Sequence, residues 1–90
     1  MTVAEGTVEI KNKLGLHLRA ATLLVKTAGK FSSAITLTRG KDRASARSVI
    51  GLMTLGASIG TKLAVKAEGA DAEEALKAVE ALFNAKFGEE

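Results

Sequence analysis

The residues with the greatest chemical potential in this sequence are Gly15-Leu16-His17-Leu18-Arg19. His17 stands where a glycine-containing turn would enter a helix, beside the backbone N–H groups that a first helical turn leaves without partners. Those donors and the helix dipole favour an anion. Arg19 adds a planar guanidinium of the kind that grips phosphate with two hydrogen bonds. Imidazole is itself a nucleophile near neutral pH, where much of it is unprotonated. A phosphoryl group placed on a ring nitrogen would therefore meet the backbone donors of Leu18 and Arg19 and a guanidinium together, a combination that suits reversible phosphoryl transfer. A surface histidine that only caps a helix accounts for the same spacing. On spacing alone both readings stand.

Other chemistries lack their parts. The 90-residue chain has one His and no Cys, Pro, Trp or Tyr. There is no thiol nucleophile, no disulfide framework, and no second His for a metal pair. A lone His leaves only an undefined Ser or Thr partner for a triad. Neither G-x-x-x-x-G-K-[ST] nor G-x-G-x-x-G occurs, so nucleotide loops are unsupported. No metal and no bound cofactor are expected. At this length residues 1–90 are expected to form one domain. No stretch approaches the roughly 18 apolar residues of a membrane span, and residues 1–6 lack a basic region followed by an apolar one. The expectation is a cytoplasmic protein, monomeric and not inserted in a membrane.

The net charge is +3, unevenly laid out. Residues 1–70 hold eleven Lys/Arg and four Asp/Glu, whereas residues 71–90 hold two and six. A basic body with an acidic end predicts a polarised molecule whose basic side meets an anionic partner or group, although a solvated acidic last helix would give the same layout. A nucleic-acid-binding domain is one reading of that charge. Base stacking, however, has only Phe31, Phe83 and Phe87 to draw on, and no nucleic-acid partner is expected.

The elements that must position His17 follow from periodicity. Residues 7–11 alternate as a strand and residues 12–15 form a turn. From Leu18 to Lys30 the pattern is helical, with Ala20, Ala21, Leu24, Val25 and Ala28 on one face and Gly29 as terminator. Leu18 and Leu23 fall at or beyond the edge of that face. Residues 33–38 and 43–46 read as strands around a turn at 39–42. Ser48 caps a short helix that Gly56 stops, and the apolar residues of this helix lie nearly all round it. Residues 62–67 form a fourth strand. Asp71 and Glu74 resemble a capping box for a last helix running towards Phe87 with Ala75, Leu76, Val79, Leu82 and Phe83 inward. The order β-α-β-β-α-β-α is an α+β arrangement, a mostly antiparallel sheet with helices on one face.

At this point the residues resemble a known family. Gly15-Leu16-His17-Leu18-Arg19-Ala20-Ala21 is similar to the active-site signature of HPr, the histidine-containing phosphocarrier of the bacterial phosphotransferase system. The stretch Ala46 to Gly56 resembles that family's regulatory-serine motif with its following helix. Ala67-Glu68-Gly69-Ala70-Asp71 with Glu74-Ala75-Leu76 matches a third landmark. The resemblance covers nearly the whole chain. It implies an HPr-like open-faced β-sandwich, four antiparallel strands with three helices on one side. It further implies that His17 takes a phosphoryl group on Nδ1 from enzyme I and passes it to enzyme IIA domains, as a stoichiometric carrier rather than an enzyme, in sugar transport. Arg19 would be the active-site arginine. Ser48 would be the serine that an HPr kinase/phosphorylase modifies, making this a phosphoprotein.

A phosphate on Ser48 would sit at a helix N-terminus, where it is tolerated, and would place negative charge beside Val49, Ile50 and Met53. With Leu18 and Leu23 those side chains would make an apolar docking patch rimmed by basic residues, suited to a partner with an acidic rim. Two positions depart from the family pattern. Ala20 stands where Pro is common, and Leu18 replaces a small residue. They open an alternative, a regulatory paralogue of a nitrogen-related or signalling branch with little part in sugar transport.

Overall fold

The computed structural model describes residues 2–89. Strand β1 is Val3–Glu9, helix α1 Leu18–Ala28, strand β2 Ala34–Arg39 and strand β3 Asp42–Ser45. Helix α2 is Val49–Thr54, strand β4 Lys62–Glu68 and helix α3 Ala72–Asn84, followed by a 3-10 turn over Lys86–Gly88. The strands lie in the order β1-β4-β2-β3, every neighbouring pair antiparallel. This is the α+β arrangement that the alternation implies.

Period-two patterning decides which face of the sheet is covered. In β4, Leu63, Val65 and Ala67 are buried while Lys62, Ala64 and Lys66 are exposed. Register aligns Gly6 with Val65, Val65 with Leu37 and Leu37 with Ala44, so one row crosses the whole sheet beneath the helices. Gly6 is small for a reason. A Cβ there would lie 3.0 Å from Glu80 Oε2 and 3.4 Å from Leu76 Cδ1, both on α3. The helices contribute Ala20, Ala21, Leu24 and Ala28 from α1, Leu52 from α2, and Ala75, Val79 and Phe83 from α3 to the same buried cluster.

Three expectations need correction. β1 begins at Val3 rather than residue 7, because its pairing with β4 extends to Val3 opposite Glu68. The last helix stops at Asn84. Lys86 and Phe87 then take left-handed φ values of 56° and 55°, which turn the chain back on itself. The Asp71–Glu74 capping box does not form, since Asp71 makes no side-chain cap bond to its own helix. Its carboxylate instead accepts the backbone N–H groups of Ser32 and Ser33, each at 2.9 Å, and the Ser33 hydroxyl. A carboxylate held by these three donors is most stable ionised, and the Asp71 pKa falls to about 2.

The short α2 is held at both ends. Ser48 Oγ accepts the Gly51 N–H at 3.0 Å, as an N-cap should. At the other end Arg39 donates to the carbonyls of Leu55 and Gly56, at 2.8 and 2.9 Å. A positive side chain thus satisfies carbonyls that the helix end leaves free.

Candidate functional site

The loop before α1 is pinned before His17 is reached. Ile10 exchanges hydrogen bonds with Thr61 and Gly60, and the Leu16 N–H donates to the Ala57 carbonyl at 3.0 Å. Gly15, at φ +69°, passes so close that a Cβ would meet Ala57 O at 2.6 Å. Only glycine takes both the left-handed conformation and the close approach. Leu16 is buried, so the segment is anchored in the core immediately before His17.

His17 is the N-cap of α1, in extended conformation. The first helical hydrogen bond runs from the Ala21 N–H to the His17 carbonyl at 2.8 Å. The N–H groups of Leu18, Arg19 and Ala20 therefore precede the helical ladder, and no acidic residue stands in that first turn. Two of these, Leu18 and Arg19, are the backbone donors that the sequence proposes for a phosphoryl group. Ala20, lacking the ring that proline would carry, keeps a third donor.

The His17 side chain is not free on both sides. Its Nε2 lies 2.5 Å from Glu89 Oε2, a contact spanning 72 residues of sequence. Glu89 is in turn held by Asn12, whose side-chain amide donates to Glu89 Oε1 at 3.1 Å and to the Gly15 carbonyl at 2.8 Å. Arg19 Nη2 stands 3.8 Å from the same carboxylate. The hydrogen bond from His17, then the one from Asn12 and the nearby Arg19 guanidinium, hold the Glu89 carboxyl below its ordinary range. An ionised carboxylate can only accept, so the His17 ring donates from Nε2, and in its neutral form the lone pair is then on Nδ1.

Asn12 and Glu89 are the residues that sequence reading missed. Asn12 read only as a turn residue, and that turn forms, with the Gly15 N–H donating to the Asn12 carbonyl, but its side chain is wholly buried and its Oδ1 has no hydrogen-bond partner among the described residues. Glu89 read as part of an acidic tail. A left-handed Phe87 tucked into the core was the step that no periodicity could show.

The apolar side chains expected to form a docking patch sort into two groups. Leu18, Ile50 and Met53 are exposed, by 60%, 78% and 42%. Leu23 and Val49, expected with them, are instead half-buried against the core, because their positions on α1 and α2 turn them partly inward. Leu14 and Ile59, from the loops flanking the site, are exposed as well. Arg19 is open to solvent, and the Ser48 residue is exposed at the head of α2. None of the three phenylalanines offers a stacking platform. Phe83 and Phe87 are buried and Phe31 is half-buried. Among the described residues, no helix is long and apolar enough to cross a membrane.

Comparison with known proteins agrees with this geometry. Residues 4–85 match the family model described as "PTS HPr component phosphorylation site". The chain is 47% identical over 89 residues to the phosphocarrier protein NPr of Shewanella violacea, covering 99% of this chain and 98% of that one. It is 42% identical over 83 residues to the phosphocarrier protein HPr of Neisseria meningitidis serogroup A, with 92% and 93% covered. The crystal structure of HPr from Thermoanaerobacter tengcongensis superposes with a TM-score of 0.92 at 50% identity, over 97% of this chain and 98% of that one. A histidine at the head of the first helix, on a four-stranded antiparallel sheet covered on one side by three helices, thus comes with matches over nearly the full length, and the chain belongs to the HPr family of phosphotransferase-system phosphocarriers.

Proposed function

We propose that this protein relays a phosphoryl group through Nδ1 of His17, accepting it from enzyme I and delivering it to an enzyme IIA domain. The observation that carries this reading is the environment of His17. One ring nitrogen is occupied by Glu89, and the ring stands at the head of a helix whose first N–H groups have no partner among the described residues. Arg19 supplies a solvent-exposed cation that faces the same Glu89 carboxylate. An incoming phosphoryl group would find both a nucleophile and donors for its oxygens.

The protein acts as a stoichiometric carrier, with no turnover of its own. Exposed Leu14, Leu18, Ile50 and Met53 support an apolar docking surface around the histidine, and Leu23 and Val49 lie at its partly buried edge. Ser48 supports a regulatory site for an HPr kinase/phosphorylase, since its hydroxyl is at an exposed N-cap where added phosphate would not unfold α2.

A second reading concerns the branch served. Leu18 and Ala20 depart from the common signature, and the chain is 47% identical to an NPr while 42% identical to an HPr. These observations favour a nitrogen-related or regulatory branch over sugar uptake.

Incubation with phosphoenolpyruvate and the cognate enzyme I tests the relay by intact mass. One acid-labile phosphoryl group is expected. No mass gain, or a gain that persists in His17→Ala, refutes the relay. Offering charged protein to IIA domains of the sugar and nitrogen branches decides the branch by rate. Incubation with ATP and the kinase should give an acid-stable product that Ser48→Ala abolishes.

A further inference from the structure

Strand β1 ends the sheet with a long free edge. Among the described residues it pairs with β4 alone, and the strand at the other end, β3, has four residues against its seven. The Gly69 N–H donates to the Thr2 carbonyl and the Ile10 N–H to the Thr61 carbonyl, so the even-numbered residues of this strand bond towards β4. The N–H and C=O groups of Val3, Glu5, Thr7 and Glu9 therefore point out along the open edge. The Glu5, Thr7 and Glu9 side chains are exposed on the face of the sheet that no helix covers. Between β1 and α3 lies a groove of about 370 Å³, lined by Thr7, Val8, Glu9, Lys11, Glu80 and Asn84. Two of these, Lys11 and Asn84, are hydrogen-bonded to each other at 2.9 Å. The Glu80 carboxylate lies over Gly6, which has no side chain to meet it. Glu5, Glu9 and Glu80 have no ion-pair partner among the described residues, although Lys66 and Lys62 stand opposite the first two on β4.

We infer that the β1 edge and the groove beside it bind an extended, lysine- or arginine-rich peptide segment of a partner protein, which adds to the sheet as a fifth strand. Main-chain hydrogen bonds to Val3, Glu5, Thr7 and Glu9 carry affinity whatever the peptide sequence, and alternate side chains supply specificity. In an antiparallel addition, the peptide residues opposite Glu5 and Glu9 lie on the uncovered face beside those carboxylates. Two basic residues four positions apart answer them. The residues between alternate towards α3. An apolar one opposite Val8 enters the groove, and a basic one opposite Gly6 reaches Glu80. The complementary pattern is basic, apolar, small polar, basic, basic. A second copy of this chain fits worse, because antiparallel pairing of two β1 edges sets Glu5 and Glu9 opposite or diagonal to glutamates. An edge guarded by acids thus rejects its own kind and stays open to a cationic strand. The surface is separate from the docking patch. Helix α2, with Ile50 and Met53, packs at the β3 end of the sheet, and α3 at the β1 end.

A fluorescent peptide of sequence Thr-Lys-Val-Thr-Lys-Lys-Thr, titrated with the full-length protein, tests this by anisotropy and by amide hydrogen exchange. Binding is expected at about 0.02 M salt and should weaken towards about 0.15 M, as charge-steered association does. In the complex the Val3, Glu5, Thr7 and Glu9 N–H groups should become protected from exchange, and the amides of α1 and α2 should not change. The same peptide with glutamate in place of each lysine should not bind. Glu5→Lys combined with Glu9→Lys should weaken binding by about tenfold or more, since two attractions become repulsions. Thr7→Pro removes the central edge N–H at a position where an edge strand tolerates proline, and should weaken binding by about fivefold, the scale of one hydrogen bond. The exchange readout uses unaltered protein, so it decides the question even if T7P fails to fold. No binding at the lower salt overturns the inference. So does protection at α1 or α2 without protection along β1, or an affinity for the E5K/E9K protein within about twofold of wild type. Edge protection that arises without peptide as the protein concentration rises, with a dimer by sedimentation, assigns the edge to a second copy and overturns it as well.

Discussion

Phe87 stacks edge-on against Phe83, their planes 64° apart, and this packing turns the chain so that Glu89 reaches His17. Lys86 and Phe87 both hold left-handed backbone, which costs an L-residue about 1–2 kcal/mol each. Burial of the phenyl ring offsets that cost, since fully burying such a side chain is worth about 1.5–3 kcal/mol.

Phe87→Ala is therefore expected to release the C-terminal turn. Global stability in urea should fall by about 3 kcal/mol, the low end for a buried phenylalanine near a chain end. The hydrogen-bonded ring proton of His17 should disappear with it. Retention of that proton in the variant would show that Glu89 reaches His17 without the aromatic anchor.

Gly15→Ala meets two obstacles at once, a left-handed φ and the rigid Ala57 carbonyl at 2.6 Å. Because the obstacle is backbone rather than a flexible side chain, the cost should be about 2 kcal/mol or more. Denaturant unfolding measures it. Phosphoryl uptake should fall further than stability predicts, since Gly15 sets the entry angle of the chain into His17.

Asp71 ties the start of β2 to the head of α3 through Ser32 and Ser33. Its folded pKa of about 2 lies below the ordinary 3.8, so the carboxylate stabilises the fold above about pH 4. That stabilisation is lost as pH falls from about 4 towards 2. Asp71→Ala should lower the Tm at pH 7, and the gap to wild type should narrow as the pH is taken down to 2. A gap that stays constant over that range would assign the loss to packing.

Ser48→Ala removes the cap on Gly51 and should cost about 1 kcal/mol in thermal or urea unfolding. Ser48→Asp restores a cap acceptor and adds negative charge, so it should recover most of that stability. Docking of an acidic-rimmed partner next to exposed Ile50 and Met53 should nevertheless weaken, seen as a higher KM for transfer with kcat little changed. Equal KM for the two variants would place docking elsewhere.

How much was legible in the sequence depends on the range of the interaction involved. The strand β4 was readable because its alternation records burial directly, Leu63, Val65 and Ala67 against Lys62, Ala64 and Lys66. The inward face of α1 was readable for the same reason, and of its five expected residues only Val25 is half-buried rather than buried. Asp71 misled because a residue that fits a local cap also fits a distant loop, and two serine N–H groups plus a hydroxyl outbid one helical turn.

The sequence alone determined the order of elements, the covered face of the sheet and the histidine at the head of the first helix. These depend on local period and on residue types a few positions apart. Tertiary structure decided the rest of the site. Buried Asn12 and Glu89, 77 residues apart, meet because an aromatic pair holds a strained turn in place. Which nitrogen of His17 is free follows from that meeting. A hydrogen bond across such a separation leaves no periodic trace in the chain, so only the folded molecule reveals it.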